Sequence, residues 1–118
     1  LEERRKRYLF YRKNVETIKG IGLFEQNEDV CSNYAYFPVL IEEDYCMTRD
    51  ELYDALRENC IYARKYFYPL TSDQECFRNK YGRACLEQAR KLANQILCLP
   101  FHDEMKIEQM VKIIDIIK

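Results

Sequence analysis

The sequence has 118 residues, of which 47% are hydrophobic and 33% are charged, so it can form one domain with its own core. Its net charge is −1, and the stretch 21–76 carries four basic and twelve acidic residues, which argues against a nucleic-acid-binding module. Apolar runs are short and none follows the charged N-terminus, so the sequence predicts no membrane span and no signal peptide and favours a cytoplasmic protein.

The first predicted element is a helix over residues 3–19. Its apolar side chains recur at spacings of three and four and would share one face; they are Tyr8, Tyr11, Val15 and Ile18. Gly20 and Gly22 end this helix, and the polar, acidic residues 24–32 form a surface connection. The basic run 4–7 is typical of a solvated helix face more than of a phosphate-binding site.

The next elements are a strand over residues 33–42 and a helix that starts at a capping box. The strand is rich in aromatic and branched residues, and Pro38 is expected at an edge or a bulge because it cannot donate a backbone hydrogen bond. The capping box is Thr-Arg-Asp-Glu at residues 48–51, and its helix runs to about Asn59. Leu52, Ala55 and Leu56 are predicted to face inward.

The second half of the chain repeats this alternation of strands and helices. A strand over residues 61–67 is followed by a loop to about Gly82 and by a helix over 83–95, with its apolar stripe on Leu86, Ala89, Leu92 and Ala93. A buried strand over 96–99 stops at Pro100, and a last helix over 107–118 has its apolar side on Ile107, Met110, Val111, Ile114 and Ile117. Three short strands with helices against them indicate a two-layer α+β domain, and the element order alone also allows a parallel sheet.

The sequence contains no recognisable metal-binding or nucleophilic motif. Its six cysteines lack CxxC spacing, and its only histidine, His102, follows a strand end and is expected to face solvent. Cys85 and Cys98 fall in apolar patterns, so we expect reduced, structural thiols. The acidic residues 42–44 are typical of a solvated turn more than of a cation site.

One arginine among tyrosines forms the strongest candidate binding site. Strand alternation over residues 61–67 places Tyr62, Arg64 and Tyr66 on one face, which Tyr68 continues, with Ile61, Ala63, Lys65 and Phe67 on the other. The first strand adds Tyr34 and Tyr36. This set suits an anionic ligand with a flat ring, because guanidinium pairs with phosphate while phenols stack or hydrogen-bond. A tyrosine-rich face that packs on another domain also explains the pattern, and that domain could bring the ligand.

Three stretches resemble one protein family in their order and spacing. They are residues 33–41, residues 48–70 with the run Ala-Arg-Lys-Tyr-Phe-Tyr-Pro-Leu, and residues 89–101 with the closing helix. Together they are similar to the C-terminal region of the DegT/DnrJ/StrS sugar aminotransferases, over nearly the whole chain. The quoted run is similar to the branch that acts on nucleotide-linked 4-keto-6-deoxy sugars.

The resemblance implies a fold and a missing domain. Residues 1–20 would be the end of a helix that links to a large domain, and residues 21–118 would be the small C-terminal domain of an aspartate-aminotransferase-type (fold type I) enzyme. Its sheet would be short, three-stranded and antiparallel. Pyridoxal phosphate and its Schiff-base lysine would belong to the large domain, so we expect neither a catalytic residue nor bound cofactor in this chain. A start without Met, inside a charged helical pattern, agrees with a truncated protein.

The resemblance also implies a substrate and the residues that bind it. The small domain would help to close over a nucleotide-diphosphate sugar that receives its amino group from glutamate, in a homodimeric enzyme of polysaccharide or glycosylation pathways. The implied candidates are Arg64, Tyr66, Tyr68 and Thr71, beside Tyr34 and Tyr36. Many members have histidines near the positions of Thr71 and Ala35, which this chain lacks, and Cys60 stands where a glycine is usual. If that turn requires a positive φ, Cys60 is strained.

The alternative is a stand-alone module that uses its tyrosine-rich face to hold a protein or a glycan. An upstream coding sequence for a large domain with a cofactor lysine would distinguish the enzyme from this module.

Overall fold

A computed structural model describes residues 1–27, 29–78 and 86–118. The helices in this part of the chain are α1 (Glu2–Val15), α2 (Arg49–Glu58), α3 (Glu75–Arg78), α4 (Glu87–Gln95) and α5 (Ile107–Ile117). The strands are β1 (Ile21–Leu23), β2 (Phe37–Ile41), β3 (Arg64–Lys65) and β4 (Ile96–Leu99), and a 3₁₀ turn covers Thr71–Asp73. Residues 79–85, which include Gly82, Cys85 and the start of the predicted helix 83–95, lie outside the described residues.

The strands form one antiparallel sheet in the order β1-β2-β4-β3, which confirms the predicted α+β class and antiparallel pairing. The prediction of three strands is wrong, because β1 pairs with β2 from Ile21↔Ile41 to Leu23↔Val39. Gly20 takes a φ of +79°, and a Cβ there would lie 2.5 Å from the backbone of Tyr45. This glycine therefore turns the chain into β1 after residues 16–19, which follow α1.

Pro38 lies in an inner strand, not an edge strand as predicted, yet its missing N–H removes no bond to β1. On one side β2 pairs with β4, where Pro38 is opposite Cys98. On the other side the pairing with β1 ends at Val39, one residue before the proline. At Pro38 the sheet therefore lacks β1 as a neighbour and one side of the proline is unpaired, which agrees with the reason for the edge prediction.

Helix α2 begins at the predicted capping box and ends in a strained turn. The Glu51 amide donates to Thr48 Oγ1 at 3.3 Å, and the Thr48 amide donates to Glu51 Oε2 at 2.7 Å. At the other end the amides of Cys60 and Ile61 donate to the carbonyls of Arg57 and Leu56, both at 2.9 Å, which is a Schellman motif. Cys60 has a φ of +59°, so it occupies the left-handed position that glycine normally fills.

The predicted strand over residues 61–67 is mostly irregular, and only Arg64–Lys65 pair with β4. Ile61 and Ala63 are buried and Tyr62 is exposed, as alternation predicts. Phe67 breaks the alternation, because its φ of +45° turns the chain and leaves its side chain 73% exposed.

The hydrophobic core lies between one face of the sheet and the helices α1, α2 and α5. The two inner strands supply Phe37, Val39, Leu97 and Leu99, and the helices supply Tyr11, Val15, Leu52, Leu56, Met110, Ile113, Ile114 and Ile117. The predicted apolar faces of α1 and α2 are therefore confirmed. The face of α5 is rotated from the prediction: Ile113 is buried, whereas Ile107 and Val111 are exposed.

Two predicted surface features differ in detail. In the basic run of α1, Arg7 is half-buried and donates through Nε to the Met105 carbonyl at 2.7 Å, so it ties α1 to the segment before α5. On α4, Ala93 is buried but Leu86 and Leu92 are exposed, so the predicted apolar stripe is only partly covered.

No helix among the described residues has the length and apolar character needed to cross a membrane.

Candidate functional site

The outer face of the sheet is the side turned away from α1, α2 and α5. Pro38 and Leu40 of β2 and Ile96 and Cys98 of β4 point to it, because they alternate with the core residues. An open cavity of about 710 Å³ lies over this face. Its aromatic lining consists of Tyr8, Phe24, Tyr34, Tyr36 and Tyr66. The structure therefore brings together three of the predicted tyrosines.

Local hydrogen bonds shape the loop before β2, which carries Tyr34 and Tyr36. The Tyr34 amide donates to Ser32 Oγ, and the Ala35 amide donates to Asn33 Oδ1, each at 3.1 Å. Tyr34 takes a φ of +48°, and its ring centroid lies 5.2 Å from that of Tyr8 on α1. Short polar side chains at residues 32 and 33 thus fix the bend that sends Tyr34 back towards α1.

Tyr36 and Tyr66 meet across the outer face. Their ring centroids are 5.9 Å apart and tilted by 59°, within the range of favourable aromatic pairs. Tyr36 remains 50% exposed. The two rings therefore leave apolar faces open to the cavity, where a flat ligand ring could stack.

Arg64 adjoins this aromatic cavity. It pairs with Cys98 in the sheet register and lines a neighbouring cavity of about 200 Å³ together with Tyr36 and Tyr62. Burial raises the pKa of the Cys98 thiol, and the nearby Arg64 guanidinium opposes that rise. Among the described residues, Arg64 has no ion pair or side-chain hydrogen bond. Its guanidinium is exposed, so it can receive an anion.

The prediction that Tyr68 shares a face with Arg64 and Tyr66 is wrong. The turn at Phe67 carries Tyr68 to the helix side, where its ring lies 4.6 Å from the Arg49 guanidinium carbon and 5.8 Å from Lys65 Nζ. Thr71 is exposed at the start of the 3₁₀ turn and lines neither the aromatic cavity nor the one at Arg64. The six candidates therefore divide into Tyr34, Tyr36, Arg64 and Tyr66 on the outer face and Tyr68 and Thr71 beyond the turn.

Arg49 is the residue that the sequence prediction missed. It follows the cap residue of α2, a position that is usually solvated, yet it is 3% exposed. Its Nη1 donates to the Ala93 carbonyl at 2.8 Å, and its Nε donates to Asp50 Oδ1 at 2.7 Å. The signal in the sequence was an arginine beside an acid at a helix start, which by itself does not indicate burial.

Lys65 completes this cluster on the side opposite Arg64, as alternation predicts. Its Nζ lies 2.6 Å from Asp50 Oδ1 and 4.7 Å from the Tyr53 ring centroid. Asp50 thus faces two cations, and the hydrogen bond from Lys65, followed by the charge of Arg49, holds the pKa of Asp50 below its usual value.

The described residues do not build a pyridoxal phosphate site. That cofactor needs a lysine, a carboxylate for its ring nitrogen and a phosphate cup. None of the described lysines and arginines lines the aromatic cavity, and Lys65 is held by Asp50 on the other side of the sheet. The described part of the chain also holds no cluster of three or more metal-ligating side chains, and His102 is exposed. The described residues therefore form an arrangement that can bind and orient a ligand.

The whole chain, residues 1–118, matches the model of the DegT/DnrJ/EryC1/StrS aminotransferase family. A dTDP-4-amino-4,6-dideoxy-D-glucose transaminase from Shigella dysenteriae is 37% identical over 111 residues, which are 93% of this chain and 30% of that protein. A relative of the same name from Escherichia coli is 39% identical over 105 residues, which are 87% of this chain and 28% of that protein. The chain therefore spans about 30% of the length of these curated relatives.

Solved structures show the same fold. The crystal structure of DesI in the presence of its TDP-sugar product matches with a TM-score of 0.88 at 22% identity, covering 98% of this chain and 29% of that one. The aminotransferase TlmJ from Streptoalloteichus hindustanus matches with a TM-score of 0.84 at 20% identity, covering 98% of this chain and 30% of that one.

Proposed function

This chain belongs to the DegT/DnrJ/EryC1/StrS aminotransferase family, and from that premise we propose that it is the C-terminal small domain of a pyridoxal-phosphate-dependent sugar aminotransferase. The full-length enzyme transfers an amino group, with glutamate as donor, to a keto group on a nucleotide-linked deoxysugar. Residues 1–20 end the helix that links the two domains, and residues 21–118 form the small domain. The enzyme is a cytoplasmic homodimer.

The observation that carries this proposal is the open aromatic cavity with an exposed arginine at its margin. Tyr36 and Tyr66 offer rings for stacking, and Arg64 offers an exposed guanidinium beside them. A sugar nucleotide carries a flat base and a diphosphate, which are the two groups that such a wall binds. The cavity is open to solvent, and a large domain would supply its opposite side.

Each part of the enzyme has a distinct task in this proposal. When bound to the large domain, pyridoxal phosphate supplies the amino-transfer chemistry. The small domain binds the nucleotide part of the substrate on its outer face and excludes water from the closed cleft. Its residues act on binding and orientation, so their loss should change the Michaelis constant more than the turnover number.

The first test is an assay of the full-length protein with glutamate and a panel of keto-sugar nucleotides. The curated relatives are named for a dTDP-linked 4-amino-4,6-dideoxy sugar, so the corresponding dTDP-linked 4-keto sugar comes first in the panel. Transamination of at least one compound is expected. Failure with every keto-sugar nucleotide, by an enzyme that retains its cofactor, would overturn the proposed substrate class.

The second test is Arg64→Ala in the full-length enzyme. If Arg64 contacts a phosphate, the loss of a charge-assisted hydrogen bond weakens substrate binding by about 1.5–3 kcal/mol. The matched control is Arg57→Ala, because Arg57 is also exposed but lies near the end of α2. A Michaelis constant that rises no more for Arg64→Ala than for Arg57→Ala would remove Arg64 from the site.

The stand-alone interaction module is not favoured, because the chain matches the aminotransferase family over its whole length. The two functions also differ in what the isolated chain should do. We expect it to retain no pyridoxal phosphate absorbance after mixing and dialysis, because the cofactor site lies in the large domain. Stable retention of the cofactor would contradict this division of tasks.

A further inference from the structure

The buried guanidinium of Arg49 joins three parts of the chain that are distant in sequence. It starts from the first turn of α2, donates to the Ala93 carbonyl at 2.8 Å and lies 3.4 Å from the Ile96 carbonyl. The ring of Tyr68, in the segment after β3, covers its planar face with a centroid distance of 4.6 Å. One side chain therefore links α2, the junction of α4 with β4, and the segment that follows β3.

Each of these contacts requires the chemistry of arginine. Ala93 belongs to the last turn of α4, whose carbonyls lack helical partners, so the Arg49 donor caps that end and complements the helix dipole. An ammonium group can also lie over a ring, but it lacks the planar guanidinium that stacks flat on Tyr68 and presents several donors in one plane. Burial would be costly for an unpaired cation, and the carboxylate of Asp50, at 2.7 Å, compensates it.

The segment beyond Tyr68 is held at a second point. Arg90 on α4 forms two hydrogen bonds to the carboxylate of Asp73, each at 2.7 Å. Residues 68–73 thus lie against α4 between the Arg49 stack and the Arg90 ion pair. Immediately before them, Phe67 turns the chain away from Tyr66, which lines the aromatic cavity.

We propose that Arg49 is a positioning residue, whose stack on Tyr68 fixes residues 66–71 and so holds Tyr66 in the substrate-facing wall. This role rests on the proposed function, because it supposes that the outer face binds a sugar nucleotide. Arg49 itself touches no ligand, since it lies on the helix side of the sheet. Tyr68 acts through its ring and not through its hydroxyl group.

The test is a double-mutant cycle in the full-length enzyme with Arg49→Lys, Tyr68→Leu and both together. Each single variant should raise the Michaelis constant for the sugar nucleotide about five- to tenfold, with kcat within about twofold of wild type. The double variant should be no worse than either single variant, because both remove the same stack. Tyr68→Phe keeps the ring and should restore the wild-type Michaelis constant. Arg57→Lys makes the same chemical change at an exposed position of the same helix and is the control.

Hydrogen exchange of the same full-length variants provides a readout besides activity. The amides of Asp73 and Gln74 donate to the carbonyls of Leu70 and Thr71, so peptides over residues 66–74 report on this segment. Arg49→Lys and Tyr68→Leu should speed exchange there about five- to tenfold, whereas Tyr68→Phe and Arg57→Lys should not. This measurement applies even if one variant loses activity altogether.

The outcomes separate this role from the proposed function. Additive effects of Arg49→Lys and Tyr68→Leu on the Michaelis constant would overturn the positioning role. Unchanged hydrogen exchange in both variants would overturn it as well. In either case, a wild-type enzyme that transaminates a keto-sugar nucleotide leaves the proposed function intact. A Tyr68→Phe variant as impaired as Tyr68→Leu would also overturn it, because the hydroxyl group would then carry the effect. A wild-type enzyme that accepts no keto-sugar nucleotide would overturn the proposed function itself and the role that rests on it.

Discussion

The two faces of the sheet are built from the same strands but differ in what covers them. On the inner face, Phe37, Val39, Leu97 and Leu99 are at most 3% exposed, because α1, α2 and α5 pack over them. On the outer face, a cavity of about 710 Å³ is lined by Tyr34, Tyr36 and Tyr66 among others. Apolar side chains packed by the helices form the closed face, whereas amphipathic phenols contribute much of the lining of the open one.

This difference separates stability from function within single strands. In β2 and β4, successive residues alternate between the helix-covered core and the cavity wall. Changes at core positions should therefore unfold the domain, whereas changes on the wall should leave it folded and alter binding. Three sets of variants test this difference between the faces, and the largest effect is expected at the core.

Leu97→Ala should lower the free energy of unfolding by about 2–5 kcal/mol, because Leu97 is fully buried and the shorter side chain leaves a cavity in the core. Tyr36→Ala, on the half-exposed outer wall, should cost about 1 kcal/mol or less. Urea denaturation of both variants measures the two values. Equal losses would show that the outer face is as much a part of the core as the inner one, which would contradict the proposed difference between the two faces.

Cys60→Gly should raise the free energy of unfolding by about 1 kcal/mol, because glycine adopts the φ of +59° without the steric penalty of a Cβ. This variant tests the stability of the inner side of the domain, because α2 covers the inner face and its C-terminal turn is strained. Cys60→Ala is the control: it removes the thiol, keeps the Cβ and should gain nothing. If alanine stabilised the domain as much as glycine, the thiol and not the backbone would be the cause.

Asp50→Asn should have the smallest effect, a loss of about 0.5 kcal/mol at neutral pH, because Asp50 is largely exposed and its charge is screened by water, while the asparagine Oδ1 can still accept the hydrogen bond from Arg49 Nε. The pKa of Asp50 is lower in the folded state than its ordinary value near 4. The contribution of Asp50 to the free energy of unfolding is therefore present above that ordinary pKa and disappears as the pH falls through the lower pKa of the folded state. The difference in free energy of unfolding between wild type and Asp50→Asn should be smaller at pH 2.5 than at pH 7. Asp54→Asn, which removes a carboxylate at another exposed position of α2, is the matched control.

The sequence predicts those parts of the fold that local physics determines. The capping box of Thr48 and Glu51 fixes where α2 begins, and the continuous apolar run at residues 96–99 predicts a buried strand. Antiparallel pairing was implied by the family resemblance, because the order of elements leaves the direction of the strands open. The positive φ at Cys60 also came from that resemblance.

The errors occur where tertiary contacts override local pattern. Strand β1 has three residues, too few for alternation to be visible, and its glycines equally suit a helix end. Alternation placed Tyr68 beside Tyr66, but the turn at Phe67 reverses that direction. Arg49 looks like a solvated residue of a first helical turn until α4 and Tyr68 are packed around it. Part of this burial comes from Ala93, which is 44 positions away in the sequence.

The lengths of the strands have a consequence for how this domain behaves at high concentration. Of the described strands, the two at the sheet margins are the shortest: β1 has three residues and β3 has two. An extended segment of a neighbouring molecule would find only a brief backbone ladder to join on either side. The domain is thereby protected against intermolecular β-sheet growth, even while its aromatic wall stays open for a ligand.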